Sequence, residues 1–146
     1  MTLSDDLQAV LHRAFVGARE AGHPIITPEH LALELIVEPE IAAYLERCGT
    51  NLVAAESRLR ACLGKIELAQ ESEFETMPTL TFQHLVGVAF QRTENERREY
   101  VMVRDLFLAI IDERKTIASS AILDATPDPL VFEELRATES AVRHND

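Results

Sequence analysis

SDDLQAVLHRAFVGAREAGHPIITPEHLALELI, residues 4–36, and TLTFQHLVGVAFQRTENERREYVMVRDLFLAII, residues 79–111, decide the fold, because they are two passes through one pattern. The offset is 75 (79 − 4), and it runs without a gap from Ser4/Thr79 to Ile36/Ile111. Leu7 falls against Phe82, Leu11 against Val86, and Ala14-Phe15 against Ala89-Phe90. Ile26 falls against Val101, Leu31 against Leu106, and Leu33 against Leu108. Few aligned residues are identical. What agrees is the placing of apolar side chains, and self-similarity at a fixed period marks a repeated supersecondary unit.

Each pass begins as an amphipathic helix. Leu3, Leu7, Val10, Leu11, Ala14 and Ala18 follow the i, i+3, i+4, i+7 spacing of one helix face. Ser4 before Asp5 and Asp6 is a good N-cap, because the acids face the positive end of the helix dipole. Thr79 or Thr81 takes that part in the second pass. Gly22 suits the left-handed residue at a helix C-terminus. Thr27-Pro28-Glu29 opens a second helix with a hydroxyl, a proline at the first helical position and an acid in the first turn. Its apolar residues are Leu31, Leu35 and Ile36.

Pro39 starts a third helix with Ile41, Tyr44, Leu45 and Cys48, and Gly49-Thr50-Asn51 ends it. Leu52, Ala55, Leu59 and Leu63 make a fourth. The second pass follows more loosely, with helices from about Val103, Ile117 and Asp128. No stretch shows the alternation of a half-buried strand. The expected fold is therefore all-α: two tandem four-helix repeats, about eight helices, packed about a pseudo-twofold axis. One domain of 146 residues would comprise repeat one at 1–63, an exposed and mobile acidic linker at 64–78, and repeat two at 79–146.

Charge narrows the partners. Fourteen Lys and Arg against 25 Asp and Glu leave a net charge of −11, which opposes a phosphate backbone and argues against nucleic acid. No apolar run reaches the roughly 20 residues that span a bilayer, and MTLSDD lacks the basic start of a secretory signal, so no membrane partner and a cytoplasmic location are expected. Cys48 and Cys62 form no CxxC pair and fall at apolar helix positions, as buried thiols do.

Enzyme motifs are missing. There is no GxxxxGK[ST], GxSxG or HExxH, and the five glycines are scattered. No nucleophile, base and oxyanion hole can be assembled, and no cofactor is implied. His23, Glu29 and His30 are the one set of side chains with zinc-ligand chemistry, but the histidines stand seven apart across a turn rather than at helical i, i+4 spacing. The reading is no metal, with His23 exposed and His30 satisfying local polar groups. The run Arg92–Glu99 reads as a solvated helix end laced with weak ion pairs.

AFVGAREAGHPIITPEHLALELI, EIAAYLERCGTNLVAAESRL and PTLTFQHLVGVAF together resemble the Clp N-terminal domain, which precedes the ATPase modules of Clp/Hsp100 unfoldases, and most resemble its ClpA-like members. The resemblance covers nearly the whole chain. It implies a non-catalytic docking domain, tethered above a Clp ATPase ring, that receives protein substrates or a ClpS-like adaptor for ClpP-linked degradation. The adaptor-facing residues it implies are Glu29, in the turn before the second helix, and Thr79, Thr81 and His84, at the start of the fifth. Glu29 offers an acceptor to a basic adaptor side chain, and the hydroxyls can hydrogen-bond backbone.

Three positions depart from the family pattern. Pro24 stands where ClpA-like sequences tend to carry an acid, and His84 where they carry an arginine. Arg104 replaces the second glutamate with which ClpC-like relatives bind phosphorylated arginine, which argues for one specialised face rather than two equivalent sites. The residues leave two settings open, an N-domain of an unfoldase or a free-standing accessory or decoy. They also leave open a chaperone-like surface for unfolded polypeptide, which would need an exposed apolar groove.

Overall fold

A computed structural model describes residues 2–128 and residue 132. In chain order the elements are β1 (Thr2–Leu3), α1 (Asp5–Glu20), β2 (Ile25–Ile26), α2 (Pro28–Leu35), α3 (Pro39–Arg47) and α4 (Leu52–Leu63). Then come β3 (Met77–Pro78), α5 (Leu80–Asn95), β4 (Tyr100–Val101), α6 (Val103–Asp112) and α7 (Ile117–Leu123). The fold is predominantly helical, with seven helices among the described residues. The helix expected from Asp128 lies outside the described residues, apart from Phe132.

The caps act where the sequence placed them. Ser4 Oγ accepts from Leu7 N–H at 3.2 Å, and Thr79 rather than Thr81 caps α5, accepting from Phe82 N–H at 3.2 Å. At the far end of α1, Gly22 sits at φ +81° while His23 N–H bonds back to Ala18 at 2.9 Å. At the end of α5 the same turn is made by Arg97 at φ +55°, with Arg98 N–H on Thr93 at 3.0 Å. The turn's backbone N–H groups thus meet carbonyls orphaned at these two helix ends.

Element bounds shift by 75 at both ends of α1 and α5 (80 − 5 and 95 − 20) and of β2 and β4 (100 − 25 and 101 − 26). The shift is lost after α6, since α3 starts at Pro39 and α7 at Ile117. α6 is the most buried helix: every residue from Leu106 to Ile111 is inside the core, together with Leu31 and Leu35 of α2 and Leu7 and Val10 of α1. Phe132 is buried too, edge-on to Phe107 at 5.8 Å and tilted on Tyr44 at 6.0 Å.

Two expectations are corrected here. The chain is not free of strand: β1 pairs in parallel with β4, and β2 with β3. Each strand is two residues long, so it shows no alternation in sequence, and its partner lies far along the chain. The 64–78 stretch is largely exposed but is tied down. Ala69 N–H bonds Gly22 O at 2.8 Å, Thr76 Oγ1 bonds His23 O at 2.8 Å, and Met77 N–H bonds Pro24 O at 3.0 Å. No helix among the described residues is long and apolar enough to cross a membrane.

Candidate functional site

The sequence-predicted residues Glu29, Thr79, Thr81 and His84 come together. Thr27 and Glu29 at the start of α2, Thr79 and Thr81 at the start of α5, and Lys115 to Ile117 at the start of α7 line a pocket of about 320 Å³. Thr81, Lys115 and Thr116 also line a neighbouring pocket of about 420 Å³ with Leu80, His84 and Glu113. Residues 50 and more apart in sequence thus share one face, because the N-termini of three helices open onto it.

Each polar group on this face has a defined state. Glu29 is half-buried, and its Oε2 accepts from Ala118 N–H at 3.0 Å, so it caps α7 as well as facing the pocket. Burial pushes its carboxyl up from the ordinary value, while hydrogen bonds from Ala118 and from its own backbone pull the other way. Thr81 is exposed, and His84, also exposed, stands 3.8 Å from Glu113. Leu80 is 83% exposed and Ile117 41% exposed, giving the polar face two apolar knobs. Lys115, Thr116 and Ile117 escaped the reading of the sequence. Thr116 is a capping hydroxyl ahead of an apolar turn and so is visible as an N-cap, but nothing local says that α7 starts beside α2.

His23 is not exposed as expected; it and His30 are both buried. Their rings meet edge to face with centroids 5.0 Å apart, and His23 Nδ1 lies 2.8 Å from His30 Nε2. His30 Nδ1 accepts from Thr27 N–H at 2.9 Å, closing the N-terminus of α2 as expected of a group satisfying its own backbone. Burial, and secondarily the neighbouring His23, lower the His30 pKa from 6.5 to about 4. No group of three or more His, Cys, Asp and Glu among the described residues is placed to hold a metal ion.

The charge run at the end of α5 is more than a solvated edge. Arg98 sends both Nη groups to Asp105, one at 2.8 Å, and Asp105 is fully buried. Asp105 Oδ2 also accepts from Met102 N–H at 2.7 Å, capping α6, and Arg92 Nε stands 3.7 Å from the same carboxylate. Sequence reading passed over Asp105, whose partners lie in the preceding turn and helix. Cys48 and Cys62 are free and half-buried rather than fully buried. Arg104 pairs with Glu40 of α3 at 2.5 Å.

With the geometry in place, the comparisons agree. The family model described as "Clp repeat (R) N-terminal domain" matches residues 2–125. A ClpA homolog protein of Fuscovulum blasticum is 28% identical over 122 residues, covering 81% of this chain but only 15% of that protein's length. The Hsp104 N-terminal domain from Candida albicans superposes with a TM-score of 0.72 at 13% identity, over 84% of this chain and 90% of that one. A chain solved in preliminary structural investigations of a malarial protein secretion system superposes at 0.77 with 9% identity, over 94% and 93%. These two likenesses are of fold. On the family match, which spans most of its length, this chain belongs to the Clp repeat (R) N-terminal domain family.

Proposed function

We propose that the chain is a non-catalytic docking domain that brings a ClpS-like adaptor, or protein substrates directly, to a Clp AAA+ unfoldase for ClpP-linked degradation in the cytoplasm. The observation that carries this reading is the convergence of Glu29, Thr79, Thr81 and His84, from both halves of the chain, on one face with two pockets. Glu29 supplies an acceptor, Lys115 a donor, and Leu80 and Ile117 an apolar contact, which is the mixture a specific but reversible interface uses. By the same reading the chain is one domain of two repeats, 1–63 and 79–146 joined by 64–78, about a pseudo-twofold axis; the 75-residue shift of elements supports it. The ATPase ring is served equally whether it continues this polypeptide or belongs to another.

Calorimetric titration with a ClpS-type adaptor tests the specific form. Heat is expected to saturate below about 50 µM, and a flat trace at that concentration ends the adaptor reading. Glu29→Arg is expected to weaken binding by about 1–3 kcal/mol. Because Glu29 also caps α7, His84→Glu serves as the second variant, placing a like charge beside Glu113 at an exposed position without touching a cap.

A second reading is favoured by the exposure of Leu80 and Ile117: the same face binds unfolded polypeptide without an adaptor. Fluorescence anisotropy of a labelled, permanently unfolded protein separates the two. Binding that Leu80→Ser abolishes supports direct capture; no binding leaves adaptor docking.

A further inference from the structure

Side chains 75 apart can be compared between the ends of α1 and α5, whose bounds match at that shift. Where α5 turns into α6, Arg98 pairs with buried Asp105 and Arg92 lies over the pair. The matching first-half residues are His23, His30 and Gly17 (98 − 75, 105 − 75 and 92 − 75). His30 takes over Asp105's backbone duty: its Nδ1 accepts from Thr27 N–H as Asp105 Oδ2 accepts from Met102 N–H. Gly17, however, brings no side chain to cover the pair, and a Cβ there would meet nothing within 4 Å. The space that an arginine covers in the second half is, in the first, a pocket of about 420 Å³ between α1, α2 and α4. That volume lies in the range of about 300–1,000 Å³ usual for ligand pockets.

The polar chemistry of this pocket follows from one bond. A backbone N–H can only donate, so His30 Nδ1 is an acceptor and the neutral ring carries its proton on Nε2. That proton points to His23 Nδ1 at 2.8 Å, which puts the proton of His23 on Nε2. His23 is 8% exposed and lines the pocket, and no group among the described residues accepts from its Nε2. The pocket therefore has an oriented N–H donor in its lining.

At the rim, Glu34 is held by Arg13 at 3.1 Å, whereas Arg60 uses only Nε, on Glu56 at 2.9 Å. Arg13 is shared with Glu38 at 2.6 Å, whereas both Nη groups of Arg60 are unengaged among the described residues and offer a pair of N–H donors in the geometry of a carboxylate. The walls are Ala14, Ala18, Leu33 and Leu63.

We propose that this pocket binds the carboxyl-terminal residues of another polypeptide, seating a small aliphatic side chain on the apolar walls and the α-carboxylate between His23 Nε2–H and the Arg60 guanidinium. The occupant is a chain end because the His23 N–H wants an acceptor, the two open Nη groups of Arg60 match a carboxylate in shape, and the volume exceeds what one side chain fills. The pocket shares no lining residue with the Glu29 and His84 face, so the proposal does not rest on that reading.

Nuclear magnetic resonance of the ¹⁵N-labelled protein tests it. Long-range imidazole spectra of the unliganded protein are expected to show both His23 and His30 with the proton on Nε2; a proton on His23 Nδ1 overturns the donor assignment. N-acetyl-Gly-Ala-Leu with a free carboxylate is expected to shift the amides of residues 14–23 and 60–64, and its carboxamide to bind at least about tenfold more weakly. Equal binding of acid and amide, or shifts elsewhere, overturns the proposal. Free 4-methylpentanoate binding as tightly as the peptide overturns the chain-end assignment.

Gly17→Arg, which copies residue 92, is expected to abolish binding while leaving adaptor titration unchanged. Arg60 is well exposed, so Arg60→Gln keeps the fold, and it is expected to remove the preference for acid over amide. Retained binding in Gly17→Arg or retained preference in Arg60→Gln counts against the site.

Discussion

Asp105 and His30 perform one task with different chemistry, each closing the N-terminus of a central helix through its own side chain. Asp105 does so as a buried anion matched by Arg98, whose side chain is only 19% exposed. Asp105→Asn would keep the shape but remove the buried anion that Arg98 and Arg92 share, leaving Arg98 paired with Glu96, and a loss of about 3–5 kcal/mol is expected from urea melts. His30 does so as a neutral ring. Unfolded, it takes its proton near 6.5; folded, only near about 4. Between these values the unfolded chain binds more protons, so stability contributed by neutral His30 is complete above 6.5 and falls away as pH drops toward 4. In His30→Asn, which can still accept from Thr27 N–H, the urea midpoint is expected to vary less over that window than in the wild type. Equal pH profiles would show that His30 does not titrate as its burial implies.

At the scale of the elements, the turns after α1 and α5 use the same hydrogen bonds but not the same residue. Gly22 adopts φ +81° at no steric cost, while Arg97 at φ +55° bears the clash of a Cβ with the following carbonyl. Arg97→Gly is expected to stabilise the protein by about 1 kcal/mol, and Gly22→Ala to destabilise it by about as much, both read from thermal melts. Gly87 lies inside α5, and a Cβ there would meet nothing within 4 Å. Gly87→Ala should therefore raise stability by about 0.5–1 kcal/mol through the unfolded chain's lost freedom. Helix starts and stops were legible from sequence because Ser4, Thr79, Pro28 and Gly22 act within a few residues of themselves. The charge run from Arg92 was misjudged because its acid, Asp105, sits in the next helix.

For the whole molecule, distant strands complete one another: β1 pairs with β4, and β2 with β3 at the end of the 64–78 stretch. Glu29 reaches Ala118, Thr50 bonds Thr126 at 2.8 Å, and Arg104 pairs with Glu40, again across the halves. α2 packs against α6 at the centre, and both are lined by buried side chains from the two ends of the chain. Unfolding is accordingly expected to be a single transition, with far-ultraviolet circular dichroism and the tyrosine signal coincident in urea. Two separated transitions would mean that the halves are independent domains. The candidate docking face was legible only in part. Glu29, Thr79, Thr81 and His84, named from the sequence, lie together on it, whereas Lys115, Thr116 and Ile117 beside them were not named.

By itself the sequence determined the helices, their caps, the apolar faces and the 75-residue internal likeness, all of which rest on spacings of a few residues or on direct comparison of the chain with itself. The tertiary structure alone decided the two-residue parallel strands, the face shared by three helix N-termini, the Arg98–Asp105 pair and the pocket above His23 and His30. Their partners lie one or more elements away along the chain. No local periodicity records such distances, and only the packing of α2 and α6 at the centre brings these groups within hydrogen-bonding reach.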